Sequence, residues 1–320
     1  MPLPHRFPVI VGPTAGGKSN LAVEVALHAS LGMPTDGGVG GEIITADAFQ
    51  VYRGLDIGTA KPTPAEQRGV PHHLIDIRAP GEKFTVADWL GEAEKAILDV
   101  QAKGRLPIVV GGTHLYIKSF LEGMFEGPSA DAALREQLTA MPPAELRAEL
   151  ERIDAPTAAR LHPNDLRRTI RAIEVFRITG APISQLQQQW DQAGKGRTDC
   201  VLVGLEWPVE LLNRRINARV KDMAARGLVD EVRHLWQTGK LVGQAREALG
   251  YKQLIDALEG RCSVDDALEQ IKIDTRRLAK AQRTWMRRLR PTPGSVWIDA
   301  STTPSDQWPA IVLQACERGT

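Results

Sequence analysis

Between residues 8 and 29, an apolar run, a glycine-rich loop and a helix-forming run follow one another without a gap. The run is PVIVG (Pro8–Gly12), the loop is GPTAGGKS (Gly12–Ser19), and the stretch beyond it begins KSNLAVEVALHA. The run reads as a buried strand. Leu21, Val25 and Leu27 or His28 recur about a turn apart, so the stretch after the loop reads as a helix. The loop fits G-x-x-x-x-G-K-[ST] in the strand–loop–helix setting that the motif requires. Gly12, Gly16 and Gly17 allow the backbone to turn its N–H groups toward one point, and a helix starting near Lys18 adds the positive end of its dipole. Lys18 can bridge two phosphate groups, and the Ser19 hydroxyl can reach Mg²⁺. A bare glycine turn does not account for Lys-Ser at that spacing. The loop therefore predicts a phosphate site and leaves open whose phosphate it is.

Further apolar runs alternate with helical stretches. EIITADAF, LPIVVGGT, CVLVGLEW and SVWIDAS read as strands, and VADWLGEAEKAILDVQAKG as an amphipathic helix ending at Gly104. Near-continuous apolar strands between helices predict an α/β fold with a buried parallel sheet. The alternation stops between Pro128 and Asp199, where the pattern is helical and the flanking EGPSAD and QQQWDQAGKGRTD look like linkers. The expected organisation is an α/β core from 1–127 and 199–320, with a helical insertion at 128–198. LGMPTDGGVGG (Leu31–Gly41) reads as a surface loop.

An enzyme that cleaves a nucleoside triphosphate normally holds Mg²⁺ with an acid at the end of an apolar strand. The best candidate strand, LPIVV, ends instead in Gly111-Gly112-Thr113. The acid appears after EIITA, at Asp47. Open α/β sheets place their ligands at the carboxyl ends of strands. Asp47 is therefore a metal-side acid, a catalytic base or a loop cap.

The 320 residues carry a net charge of only +1, so total charge does not point to nucleic acid, and its distribution leaves the question open. In NDLRRTIRAIEVF, Leu166, Ile170 and Ile173 share one helical face and Arg167, Arg168 and Arg171 another. Arg276, Lys280, Arg283 and Arg287 also align, and Lys272–Arg290 holds eight basic residues against one acid, Asp274. Such stripes suit either a phosphate backbone or a solvated face. Cys200, Cys262 and Cys316 lack ligand-like spacing and read as free thiols. The N-terminal residues lack a signal peptide's apolar run, and no run reaches the ~18 residues of a membrane span. A cytoplasmic protein is expected.

GPTAGGKS, EIITADAFQVYRGLDIGTAKPT, GVPHHLIDI, PIVVGGTHLY, HPNDLRRTIRAIEVF, ALGYKQ and RRLAKAQRTW occur in this order. As a set they resemble the bacterial tRNA dimethylallyltransferases, or tRNA isopentenyltransferases, from about Val9 to Arg288. The resemblance implies a P-loop-kinase-like core with a tRNA-binding helical insertion. It also implies transfer of a dimethylallyl group from dimethylallyl diphosphate to the exocyclic amine of adenosine 37, in tRNAs that read codons beginning with U.

By the same resemblance the loop of Gly12, Pro13, Thr14, Ala15, Gly16, Gly17, Lys18 and Ser19 holds the diphosphate with Mg²⁺. Asp47 takes the amine proton, Thr113 belongs to the catalytic set, and Arg219 helps neutralise the diphosphate. Contacts to the anticodon stem-loop fall to Asp47, Ala48, Phe49, Gln50, Thr113 and Arg135. Further contacts fall to Arg167, Arg168, Arg171, Glu247, Gly250, Tyr251 and Lys252, and to Lys280, Gln282, Arg283, Trp285 and Arg287. A monomer is expected. Ala48, Phe49 and Ala281 depart from the usual family pattern. A P-loop kinase, a nucleotide-switched RNA-binding protein and a prenyltransferase acting on free AMP remain the alternatives; the last needs neither basic stripes nor a helical insertion.

Overall fold

The computed structural model describes residues 6–29, 40–124, 127–192 and 196–317. The described part folds as two compact units, one of residues 1–117 with 198–320 and one of residues 118–197. Most of the loop expected at Leu31–Gly41 lies outside the described residues.

Six strands form the sheet of the first unit: β1 (Phe7–Val11), β2 (Gly41–Ala46), β3 (His72–His73), β4 (Leu106–Gly111), β5 (Cys200–Glu206) and β6 (Val296–Asp299). All pairings are parallel, in the order β3-β2-β4-β1-β5-β6. β1, β2 and β4 are buried along their whole length, as their continuous apolar sequences require. The two-residue β3 was not legible in GVPHHLIDI, because a single pair of histidines carries neither alternation nor an apolar run. After β1 the chain builds the sheet to one side, and after β4 it crosses to the other. The crevice at the carboxyl end of β1 is therefore the switch point where such sheets bind ligands.

The first unit begins with helices α1 (Lys18–His28), α2 (Pro64–Gln67), α3 (Val86–Ala102) and the start of α4 (His114–Glu122). Thr85 caps α3 reciprocally with Asp88, which sets the start of the amphipathic helix that the sequence predicts. On that helix Trp89 is fully buried, gives its indole N–H to the Thr45 carbonyl at 2.8 Å and stacks on Tyr116. This bond fixes α3 against the strand that leads to Asp47.

The second unit holds α5 (Ala132–Ala140), α6 (Pro143–Ile153), α7 (Ala155–Arg160), α8 (Leu166–Thr179) and α9 (Ile183–Gln192). The stretch QQQWDQ, read above as linker, is the second half of α9. Its polar composition hid a helical period carried mainly by Ile183 and Leu186. Leu138, Leu146, Leu150, Ile173 and Val175 form this unit's core, with Leu166 and Ile170 packed beside them.

The chain returns to the first unit with α10 (Val209–Ala225), α11 (Leu228–Gln237), α12 (Tyr251–Leu258), α13 (Val264–Leu289) and α14 (Trp308–Glu317). Among the described residues no helix is long and apolar enough to cross a membrane.

Where β5 and β6 pair, Gly204 stands opposite Trp297, and a Cβ at Gly204 would sit 2.2 Å from the indole ring. Gly204→Ala must therefore displace Trp297 and should cost about 1–3 kcal/mol. Urea unfolding should show a lower midpoint with an unchanged slope.

Candidate active site

The glycine-rich loop runs from the end of β1 into α1. Gly17 has a positive φ of 89°, and Ala15, which has a Cβ, is held at φ 59°. A side chain on Gly16 would meet the Pro13 carbonyl at 2.8 Å. That carbonyl already accepts the Gly16 N–H at 3.1 Å and the Lys18 ammonium at 2.8 Å.

Three side chains from distant parts of the chain grip the loop. Arg215 Nε donates to the Ala15 carbonyl at 2.8 Å, and Trp207 Nε1 donates to the Gly16 carbonyl at 3.0 Å. Arg215 also lies over the Trp207 ring. Gln282 accepts the Thr14 N–H at 2.7 Å through Oε1 and donates to the Gly112 carbonyl at 3.1 Å through Nε2. With two carbonyls held by these donors, the N–H groups at the start of α1, which a helix cannot satisfy, are free for an anion.

Lys18, Ser19 and Arg219 line a cavity of about 410 Å³ with the loop backbone and Arg215, and Glu66, Asp222 and Arg226 also border it. Among the described residues the Arg219 guanidinium has neither a hydrogen bond nor an ion-pair partner. Burial holds its charge at a disadvantage, against an upward pull from Asp47. Burial, then the neighbouring Arg219, brings the Lys18 ammonium down to about 7. Two desolvated cations converging on helix-start N–H groups form a site short of negative charge, and a diphosphate supplies it.

Asp47 follows the last residue of β2. Its Oδ1 accepts the backbone N–H groups of Phe49 at 2.9 Å and Gln50 at 3.2 Å. Its Oδ2 has no hydrogen-bond partner among the described residues. Asp47 is thus a loop cap through one oxygen and keeps the other available. Thr113 Oγ1 accepts the Ala48 N–H at 3.1 Å, and the Thr113 N–H donates to the Ala46 carbonyl at 3.3 Å.

That closure depends on Gly111, where a Cβ would come within 2.1 Å of the Ala46 carbonyl oxygen. An acid at this strand end has no room, which is the physical reason the strand lacks one. Asp47, Lys18, Ser19, Thr14 and Arg219 border a second cavity of about 120 Å³. Asp47, Thr14 and Arg219 also border a third, of about 130 Å³ and mostly apolar, walled by Ile216, Val220, Met223, Leu228 and Leu278.

The basic residues divide by partner. Arg167 is exposed on α8, and Lys280, Arg283 and Arg287 are partly or fully exposed on α13. None of these four has an ion-pair partner among the described residues. Arg168 pairs with Asp165 in the first turn of its helix, and Lys252 with Glu247. Arg135 is forked onto Glu174 at 2.8 and 2.9 Å, and Arg171 joins the same carboxylate at 2.5 Å. Glu174 is fully buried, so both arginines satisfy an interior charge while keeping part of their surface exposed. Trp285 stacks on His114 with ring centroids 5.6 Å apart and lies under Arg288.

Four of the residues expected at the tRNA turn inward, two of them, Gln50 and Gln282, at the cavity beside Asp47. Tyr251 is fully buried with its hydroxyl 2.5 Å from the Glu231 carboxylate, so it offers no surface to a macromolecule. Gln282 is nearly buried and spends both ends of its amide on the loop and on Gly112. Gln50 is also nearly buried, and its Nε2 donates to the Thr59 and Ala60 carbonyls at 3.0 and 3.2 Å. Gly250 is a buried residue at φ 98° beside the apolar cavity. The residues that grip the loop and were missed altogether are Trp207 and Arg215. Only Arg215 left a signal, standing one helical turn before Arg219 on the same face.

The family model described as IPP transferase matches residues 50–289. The chain belongs to the IPP transferase family. A tRNA dimethylallyltransferase of Geobacillus thermodenitrificans is 44% identical over 300 residues, covering 92% of this chain and 90% of the relative. One of Geobacter sulfurreducens is 43% identical, covering 92% of each. The family's solved structures share the fold. The full-length tRNA isopentenylpyrophosphate transferase of Bacillus halodurans superposes with a TM-score of 0.70 at 35% identity, covering 98% of this chain and 97% of that one. A eukaryotic dimethylallyltransferase acting on tRNA gives 0.78 at 28% identity, covering 95% of this chain and 75% of that one.

Arg219→Gln removes a desolvated cation that has no hydrogen-bond or ion-pair partner among the described residues. It should weaken binding of inorganic diphosphate by about 10- to 100-fold, as for a lost charge-assisted contact. The melting midpoint of the ligand-free protein should not fall. Calorimetric titration and a thermal melt check the two halves.

Proposed function

We propose that this protein transfers the dimethylallyl group of dimethylallyl diphosphate to the exocyclic amine of adenosine 37 in tRNAs that read codons beginning with U. The observation that carries the proposal is the convergence of a phosphate loop, Arg219 and Asp47 on adjoining cavities, in a chain of the IPP transferase family.

The allylic carbon–oxygen bond breaks readily because the developing cation is delocalised, so holding the departing charge is the main demand. Backbone N–H groups of Gly17 and Lys18, the Lys18 ammonium and Arg219 face that charge. The amine of adenine is a weak nucleophile whose lone pair is shared with the ring. Asp47 Oδ2 orients it and takes its proton as the carbon–nitrogen bond forms. Oδ1 stays occupied by the Phe49 and Gln50 N–H groups, so the carboxylate does not rotate away. A stacked base cannot reach this crevice, so the adenosine is expected to leave the stack of the anticodon loop. Arg167 on one unit, and Lys280, Arg283 and Arg287 on the other, are the groups suited to the stem's phosphates.

Mg²⁺ fits this donor set. Among the described residues no group of three or more acidic, histidine or cysteine side chains could hold a metal. The Ser19 hydroxyl, which borders the phosphate cavity, would hold the ion, since Mg²⁺ takes few protein ligands. When bound, it would neutralise part of the leaving group's charge. A cytoplasmic location accords with action on tRNA, and every residue invoked lies in one chain.

The kinase alternative finds no support in the strand that ends at Gly111, where no acid fits. Purified protein, Mg²⁺, dimethylallyl diphosphate and tRNA with adenosines at positions 36–38 should yield isopentenyladenosine, read by mass spectrometry of the digested nucleosides. Absence of that nucleoside would refute the proposal. Asp47→Asn should keep tRNA binding while lowering the single-turnover rate by about 10²- to 10⁴-fold.

A further inference from the structure

The side of Asp47 is set by a loop that has no regular structure of its own. Residues Leu55–Lys61 form a tight coil in which Ala60 N–H donates to the Ile57 carbonyl at 3.0 Å and Lys61 N–H to the Asp56 carbonyl at 2.9 Å. Such a coil, like the first turn of a helix, leaves its leading N–H groups without partners. One distant carboxylate takes all three. Glu231 Oε2 accepts the N–H of Asp56 at 3.2 Å and of Ile57 at 2.8 Å, and Oε1 accepts that of Gly58 at 3.2 Å. Oε1 also accepts the Tyr251 hydroxyl at 2.5 Å, and burial together with this carboxylate pushes the Tyr251 phenol up, so it remains a donor.

Tyr251 fixes the coil from a second side. Its ring lies where a Cβ on Gly58 would be, 2.4 Å away. At the far end the Lys61 ammonium is tied to the Tyr52 carbonyl and to Asp56 and Asp76.

The other edge of the coil faces the site. The carbonyls of Thr59 and Ala60 both accept Gln50 Nε2, and the Gln50 backbone N–H donates to Asp47 Oδ1. Hydrogen bonds, with the short covalent segments between them along residues 56–60 and through Gln50, therefore join Glu231 to the oxygen that keeps the Asp47 carboxylate from turning. Thr59 and Ala60 both border the cavity of about 120 Å³ beside Asp47, Ala60 also borders the phosphate cavity, and Thr59 also borders the apolar one.

We propose that Glu231, on α11 and outside every cavity described above, is a positioning residue for prenyl transfer. It caps the 56–58 backbone so that Gln50 holds Asp47 in its working orientation. Glu231 touches no substrate. The inference rests on the proposed function and deepens it.

The test is a double-variant cycle in single-turnover prenylation of tRNA, with the affinity for each substrate measured separately. Glu231→Gln puts an amide NH₂ against backbone donors. It should slow the chemical step by about 10- to 100-fold, the scale of a small misplacement of a reacting group. Gln50→Met should slow it comparably, and the double variant should be no slower than the slower single one, because both act along one route. Affinities for dimethylallyl diphosphate and tRNA should stay within about threefold for Glu231→Gln.

Effects that multiply in the double variant overturn the proposal. So does a normal rate in either folded single variant, or a loss confined to substrate affinity. If Glu231→Gln does not fold, Tyr251→Phe replaces it in the cycle: removing one donor lets the carboxylate shift on the coil, and its smaller rate loss should likewise vanish in the Gln50→Met background. A Tyr251→Phe loss that persists there overturns the proposal. Wild-type protein that forms no isopentenyladenosine refutes the function itself, whereas an active wild type with an unaffected Glu231→Gln variant refutes only this inference.

Discussion

A phosphate loop works only while its N–H groups point inward, and a short run of glycines has no intrinsic reason to keep them there. The outward hold on the Ala15 and Gly16 carbonyls by Arg215 and Trp207 supplies the reason. Each is a single neutral or charge-assisted hydrogen bond, modest in net energy. Together they come from β5's exit and from α10, elements fixed by the buried sheet and its helices. The loop thus borrows its rigidity from the core, and Ala15 is kept at a backbone angle that a free chain seldom adopts.

Around this loop the protein arranges an electrostatic deficit. Lys18 and Arg219 are desolvated near each other, with Asp47 as their nearby acid. Mutual repulsion and lost hydration destabilise the ligand-free state locally, and an arriving diphosphate relieves both. The apolar cavity beside Thr14 and Asp47 continues the same logic, offering hydrocarbon surface next to the anion site. Polar handle and apolar tail thus find matching surroundings on either side of Arg219.

Much of this was legible in the sequence because its signals are local. The strand–loop–helix motif, the apolar strands and the position of Asp47 each lie within a few consecutive residues. The missing acid at Gly111 was visible as well, though its cause was not: the reason is the approach of the Ala46 carbonyl, a neighbour across the sheet. What escaped were roles set by long-range contact. Gln282 and Tyr251 sit in blocks that otherwise look like RNA-facing surface, yet both turn inward. Glu231 lies 173 residues from Gly58, which it caps. The short β3 and the polar half of α9 escaped for a different reason, since neither has the periodicity by which elements are recognised.

Helix α13 carries two jobs on one rod. Gln282 reaches inward to the phosphate loop, while Lys280, Arg283 and Arg287 lie toward the opposite side. An α-helix advances about 100° per residue, so a one-residue insertion before Gln282 would turn the amide off the loop and swing the basic stripe by the same angle. The spacing between them is therefore a shared phase. Drift in the helix can change the identity of its surface charges freely, but not the number of residues that precede them.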